Sequence, residues 1–213
     1  MTTISIHKDI LAAVAMTMAS KDVRYYLMGV YFEPNADRSI TIVSADGHRL
    51  TAAHSALAFE EDETCAPFIA PASFISAILK GSRRDLMVKI TLDGDQLACA
   101  SAGAMGTCVD GKFPDWRRVI GNNDRVAGTP CGPDGAICLS AAYIGDTAKQ
   151  AAALGNKYGA TITQFTSGPA LVRFGNREDI FSAIMPVRMD GKERRDMPAW
   201  TGVAAANVAT ESA

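Results

Sequence analysis

The chain has 213 residues, 48% of them apolar and 21% charged, the proportions of a globular protein with a core to bury. That length allows one large domain or two small ones. The formal net charge of −2 excludes a globally basic nucleic-acid binder, so contact with phosphate depends on local placement of Lys and Arg.

Thr3 to His7 alternates in polarity and predicts a strand. Lys8 to Met18 follows as a helix, with Ile10, Leu11, Val14 and Met18 on one face. Met28 to Glu33 and Ser39 to Ser44 predict strands joined by the turn Pro34-Asn35-Ala36-Asp37. A turn at Asp46-Gly47 leads into a strand from Leu50 to Ala53. The same order then recurs. Pro67 to Ala70 is a short strand, and Pro71 opens a helix through Leu79 with Phe74, Ile75 and Ile78 on its apolar face. Leu86 to Leu92 alternates as a strand, and after the hairpin signal Asp93-Gly94, Gln96 to Ser101 and Met105 to Val109 complete a meander. A third copy begins with a strand from Ala136 to Leu139 and a helix from Ala141 to Leu154 behind the N-cap candidate Ser140. It ends with strands Ala160 to Phe165, Ala170 to Phe174 and Ile180 to Met185, the first two separated by a turn at Ser167-Gly168.

Three units of one pattern therefore lie near residues 1–57, 64–109 and 135–189, at an irregular period that argues against a solenoid. The expected fold class is α+β, built of repeated β-α-β-β-β modules with helices on one face of antiparallel sheets. Units one and two pair into a complete domain over residues 1–121, which leaves the third without a mate as a half domain over 135–189. Residues 110–134, with their Gly, Pro, Asn and Asp, read as the interdomain connection, the linker proper being 122–134. Residues 190–213, charged and then Ala-rich, read as a flexible tail.

Five cysteines (Cys65, Cys99, Cys108, Cys131 and Cys138) are an odd number with no CxxC spacing. With only three histidines, they argue against a disulfide framework and against a zinc site. Met1-Thr2-Thr3-Ile4 carries no basic segment followed by an apolar one, and no apolar run approaches the ~20 residues of a membrane span. The expectation is a cytoplasmic protein away from membranes. No Walker A loop, GxGxxG, HExxH or GxSxG is present, and Asp46 with His48 across a tight turn is a poor acid–base pair. Neither an enzyme nor a cofactor or metal is expected.

Four stretches stand out from the scaffold: Asp22-Val23-Arg24-Tyr25-Tyr26-Leu27, Asp46-Gly47-His48-Arg49-Leu50, Asp110-Gly111-Lys112-Phe113-Pro114-Asp115-Trp116-Arg117-Arg118-Val119, and Met185-Pro186-Val187-Arg188-Met189. In order and spacing they resemble the bacterial DNA polymerase III beta subunit, the beta sliding clamp family. Residues 3–120 resemble the middle domain of that family and 135–189 the second half of its last domain. The first domain and the first half of the last have no counterpart.

The resemblance implies a DNA clamp fold and a peptide-binding pocket between the middle and last domains. At the matching positions stand Leu27, Gly47, His48, Arg49, Leu50, Pro114, Arg118, Val119, Leu171, Met185, Pro186, Val187, Arg188 and Met189. Leu27, Leu50, Pro114 and Val119 suit an apolar floor, and Met185 and Met189 adapt to varied ligands. Arg49, Arg118 and Arg188 suit peptide carbonyls or acidic flanks. It also implies contact with duplex DNA through Lys21, Arg24, Tyr25 and Tyr26, and through Lys80, Arg83, Arg84, Lys149 and Lys157 near the ends of the inner helices. The implied partners are double-stranded DNA, a DNA polymerase and clamp-loader subunits carrying linear motifs, and further copies of the chain in a homo-oligomer. The family ring has twelve modules, so three modules per chain correspond to four chains. Three readings stay open: an encircling processivity factor, found with the nucleoid when on DNA; a non-encircling adaptor or decoy that binds clamp-partner peptides; and a relative with a structural role only.

Overall fold

The computed structural model describes residues 1–60, 63–81, 85–120, 138–156, 159–164 and 168–187. Strand β1 (Thr2–His7) turns its alternate residues Ile4 and Ile6 into the core, and helix α1 (Lys8–Ala15) buries Ile10, Leu11, Ala13 and Val14. The helix stops short of the predicted Met18. The Thr17 hydroxyl takes the Val14 carbonyl at 3.1 Å and meets Ser44 Oγ at 2.6 Å, replacing helix bonds with local ones. A 3-10 turn, Tyr25–Leu27, leads into strands β2 (Gly29–Pro34), β3 (Ile40–Ala45) and β4 (Arg49–Ser55). The second module is β5 (Phe68–Pro71), α2 (Ala72–Gly81), β6 (Met87–Asp93), β7 (Gln96–Cys99) and β8 (Ala104–Thr107). Short helix α3 (Arg117–Ile120) precedes the third module, made of α4 (Ala141–Ala153), β9 (Thr161–Thr163), β10 (Ala170–Arg173) and β11 (Ile180–Ile184). Of the predicted strand at 136–139, residues 136 and 137 lie outside the described residues, and Cys138 and Leu139 belong to no regular element.

Among the described residues all strand pairs are antiparallel and form two sheets, one of order β1-β6-β7-β8 and one of order β5-β2-β3-β4-β11-β10-β9. The first two modules exchange strands reciprocally. β1 pairs with β6 over Thr2–His7 and Met87–Leu92, and β2 pairs with β5 over Gly29–Phe32 and Phe68–Pro71. The third module joins the larger sheet through β11 on β4, with Ala183 opposite Leu50 and Ile180 opposite Ala53. One core runs under the helices and draws on Leu11, Phe32, Ile42, Ile75, Ile90, Leu154 and Val172. A second, smaller core lies on the other side of the large sheet, around Leu27, Val43, Leu50, Ala52, Phe113 and Ala183. Strands β3 and β4 are thus buried on both faces near their centres. No helix among the described residues is long and apolar enough to cross a membrane.

The junction of the third module holds a buried polar cluster. Gln150 Nε2 on α4 donates to the Ala13 carbonyl at 2.9 Å and to Thr51 Oγ1 at 2.8 Å. Thr51 Oγ1 lies 2.7 Å from Ser182 Oγ, which donates to Gln150 Oε1 at 3.4 Å. Four elements (α1, β4, β11 and α4) are tied at one point, and each buried polar group finds a partner in the others. At one end of the junction Arg177 pairs with Asp179 at 2.7 Å and Asp9 at 3.3 Å.

Gln150→Leu leaves the Ala13 carbonyl and two hydroxyls short of a partner, at a cost of about 1–3 kcal/mol. Urea unfolding of the variant is expected to show that loss with an unchanged far-UV circular dichroism spectrum. The Arg177 guanidinium holds the Asp179 carboxyl below the ordinary carboxylate range. A carboxyl that is more acidic in the folded state stabilises when ionised, so this contribution is present above about pH 4 and lost as the pH falls below it. Asp179→Asn is expected to flatten the acid limb of the stability profile; an unchanged limb contradicts the assignment.

Candidate functional site

The outer face of the large sheet carries Val43, Leu50, Ala52 and Ala183, and the chain covers it with two segments. Leu27, from the 3-10 turn, is buried there. Phe113 stacks on Tyr31 with ring centroids 4.9 Å apart. Trp116 lies 6.4 Å from Phe181 and donates through Nε1 to Glu33 at 3.3 Å. Arg117 pairs with the same Glu33 at 2.9 Å and stacks over the Trp116 ring at 4.3 Å. Residues 110–120, expected as part of the connection, are therefore a packed cover from Phe113 onward, because two aromatic contacts and one carboxylate fix them to the sheet.

Beside α3, the last described part of the cover, a cavity of about 60 Å³ opens. It is lined by Ala45, Gly47, His48, Arg49, Leu50, Val119, Ala183 and Met185. The β4–β11 pairing brings the Gly47–Leu50 turn and Met185 together, and Met185 N donates to the His48 carbonyl at 2.8 Å. Val119 and Met185 are the half-exposed apolar residues at its mouth.

The turn itself is organised by Asp46. Its Oδ1 accepts from the backbone N–H of His48 at 2.9 Å and of Arg49 at 3.1 Å. Gly47 has φ of +90°, and a Cβ there would fall 2.5 Å from Arg24 Nη2. The positive φ favours glycine at this position.

Six of the nominated pocket residues (Gly47, His48, Arg49, Leu50, Val119 and Met185) line the cavity. Leu27 and Leu171 instead belong to the small core beneath it. Pro114, Arg118, Pro186 and Val187 lie outside the lining, and Arg188 and Met189 lie outside the described residues. Ala45 and Ala183 line it without having been nominated. The register with Leu50 was their only signal, and a lone sequence does not display register.

Arg49 departs from its expected role as an open hydrogen-bond donor. Its side chain is 11% exposed and bonds to Asp46 at 2.9 Å, Asp146 at 2.8 Å and the Met16 carbonyl at 3.2 Å, with Tyr143 stacked at 4.3 Å. Each guanidinium nitrogen already has a partner, so Arg49 acts as a latch between β4 and α4.

The nominated phosphate-contacting residues also divide. Arg24 is held by Asp22 at 2.7 and 2.9 Å, and this contact lowers the Asp22 carboxyl to about 2. Lys149 is paired with Asp146 at 2.7 Å. Tyr25 is exposed and meets Tyr26 edge-on at 5.8 Å, both against Gly111, while Lys21 and Lys80 are exposed. Arg83, Arg84 and Lys157 lie outside the described residues.

Comparison with known proteins places this architecture. Residues 4–115, just over half of the chain, match the family model described as DNA polymerase III beta subunit, central domain. The beta sliding clamp of Salmonella typhimurium is 31% identical over 119 residues, 54% of this chain and 32% of that protein. The beta sliding clamp of Proteus mirabilis is 26% identical over 193 residues, 87% of this chain and 49% of that protein. The chain thus spans about a third to a half of the length of these relatives. A crystal structure of the DNA polymerase sliding clamp from Pseudomonas aeruginosa has a TM-score of 0.66 at 20% identity, covering 88% of this chain and 66% of that one. The DNA polymerase III beta subunit of Thermotoga maritima has a TM-score of 0.67 at 14% identity, covering 89% and 66%. On fold and sequence together, this chain, with its α+β clamp architecture, belongs to the DNA polymerase III beta subunit family.

Proposed function

We propose that the chain is a clamp-like processivity factor. It binds duplex DNA without sequence specificity and tethers a polymerase, clamp-loader subunits or other partners through a linear-peptide pocket at the β4–β11 seam. The observation that carries this reading is the convergence of Gly47–Leu50, Val119 and Met185 on one cavity from three separate segments. The cavity has room for one apolar anchor, Met185 can reshape to varied anchors, and exposed Arg118 stands on α3 beside it for acidic flanks. Such sites bind near micromolar, about −8 kcal/mol, which a few anchors supply. In this reading residues 1–121 are the complete domain, 135–189 a half domain, and the pocket lies at the seam between them. Lys21, Tyr25, Tyr26 and Lys80 supply non-catalytic backbone contacts to DNA.

A fluorescently labelled peptide from the clamp-contacting segment of a replicative polymerase is expected to bind. Val119→Asp and Met185→Ala are expected to weaken it tenfold or more, about 1.4 kcal/mol. A wild-type chain that ignores such peptides sinks the pocket reading.

One observation favours the second reading, a non-encircling adaptor or decoy. Arg24 and Lys149 are already ion-paired and the chain is net acidic, which weakens its pull on phosphate. Retention on closed circular DNA, lost when the DNA is cut, is the expected behaviour of the processivity factor. Peptide binding without that retention identifies the adaptor.

A further inference from the structure

Side chains alternate across a strand, so successive residues at the start of β4 leave the sheet on opposite faces. Leu50 and Ala52 belong to the small core on the cavity side, and Ala53 belongs to the core under the helices. Arg49 and Thr51 share the helix side with Ala53, and each meets α4 there. Thr51 Oγ1 accepts from Gln150 Nε2 at 2.8 Å, and Arg49 Nη1 donates to Asp146 Oδ2 at 2.8 Å. Gln150 and Asp146 stand four apart in sequence, about one helical turn. Two alternate strand residues thus match two residues on one helix face. Gln150 sets α4 against the sheet, and the helix so set presents Asp146 to Arg49.

Arg49 is held both from within its turn and from outside it. Asp46, three residues earlier, takes Arg49 Nε at 2.9 Å, a contact that belongs to the turn and moves with it. Asp146 instead ties the turn to α4, beside the Tyr143 ring at 4.3 Å. The Met16 carbonyl also lies outside the turn, but it is an uncharged acceptor at 3.2 Å, and the charge-assisted bond to Asp146 is the stronger. Lys149 and Arg49 together hold the Asp146 carboxyl below the ordinary carboxylate range, so it is ionised at neutral pH. The Arg49 and Asp146 side chains are 11% and 23% exposed, where solvent screens a pair less than on open surface. The turn that Arg49 closes supplies Gly47, His48, Arg49 and Leu50 to the cavity wall, whereas Asp146 and Tyr143 do not line it.

We propose that Asp146 is a positioning residue for the peptide-binding pocket: it fixes the Gly47–Leu50 wall through Arg49 without touching the peptide. This rests on the pocket reading above and gives α4, on the far side of the sheet, a part in that site. The chain of contacts is continuous. Asp146 holds Arg49, Arg49 holds Asp46 Oδ2, and Asp46 Oδ1 holds the amides of His48 and Arg49 in the turn. With Asp146 gone, the only carboxylate left to Arg49 among the described residues is the one in its own turn, and the wall loses its charged tie to the helix layer. A peptide then has to order that wall as it binds, which lowers its affinity.

Anisotropy of a labelled clamp-partner peptide, together with amide hydrogen exchange on the free chain, tests it. Asp146→Ala, a substitution that suits a helix, is expected to weaken the peptide about tenfold. It is also expected to speed exchange at residues 46–50 while leaving the second half of α4 as in the wild type. Asp146→Glu keeps the carboxylate and is expected to restore both readouts, which a loss of packing alone does not explain. In an Arg49→Met background, Asp146→Ala is expected to cost no further affinity, because its effect runs through the guanidinium. The same loss with and without that guanidinium overturns the proposal, as does unchanged exchange at 46–50 in Asp146→Ala. A wild type that binds no peptide sinks the pocket reading and this proposal with it. A wild type that binds, with Asp146→Ala binding equally well, sinks this proposal alone.

Discussion

The pairing of β4 with β11 is the constraint on which the rest of the structure depends. A three-stranded sheet with one helix can bury only a small core of its own. Joined to β4, the same strands extend an existing sheet and place α4 against α1. The Gln150–Thr51–Ser182 cluster makes that joint specific, because its members are buried and bond to one another and to the Ala13 carbonyl. A slip of one residue would turn Ala183 from the outer face to the helix face and break the cluster at once. The geometry of the seam cavity follows from this register, since Leu50 and Ala183 are directly opposed.

The cavity is also a consequence of how the outer face of the sheet is covered. Phe113 and Trp116 seal most of it, and Glu33 fixes the end of the cover by holding both Trp116 and Arg117. Among the described residues the cover runs as far as α3, and the small alanines at 45 and 183 leave a hollow beside it. Polar groups around this hollow are largely committed to architecture. Asp46 shapes the turn, and each nitrogen of the Arg49 guanidinium already bonds to one of Asp46, Asp146 and Met16. Recognition at such a site falls mainly to shape and apolar contact, with exposed groups such as Arg118 acting at the rim.

Much of this was legible in the residues. The alternation in Thr3–His7 and Leu86–Leu92 and the turn words Asp46-Gly47 and Asp93-Gly94 located the strands to within a residue or two, because local sterics and burial govern those elements. The three-fold recurrence was visible for the same reason. Less visible was anything decided by long-range register. Ala45 and Ala183 look like any small strand residues until β4 and β11 are paired. Arg49 reads as an open cation until Asp146, almost a hundred residues later, is brought 2.8 Å from it. Phe113 and Trp116 sit in a Gly- and Pro-containing stretch that resembles a connection, and only the aromatic partners Tyr31 and Phe181 turn it into a lid over the sheet. The end of α1 was misplaced because a hydroxyl at Thr17 found Ser44, a partner on another strand.

The central claim is that a partner peptide seats in the seam between the turn before β4, α3 and the end of β11. Hydrogen exchange with and without a saturating clamp-partner peptide tests it most directly. The account predicts slowed exchange at residues 45–50, 117–120 and 183–185, with Thr161–Thr163 unchanged. A bound peptide that leaves those three segments unaltered, or that protects another surface in their place, contradicts it.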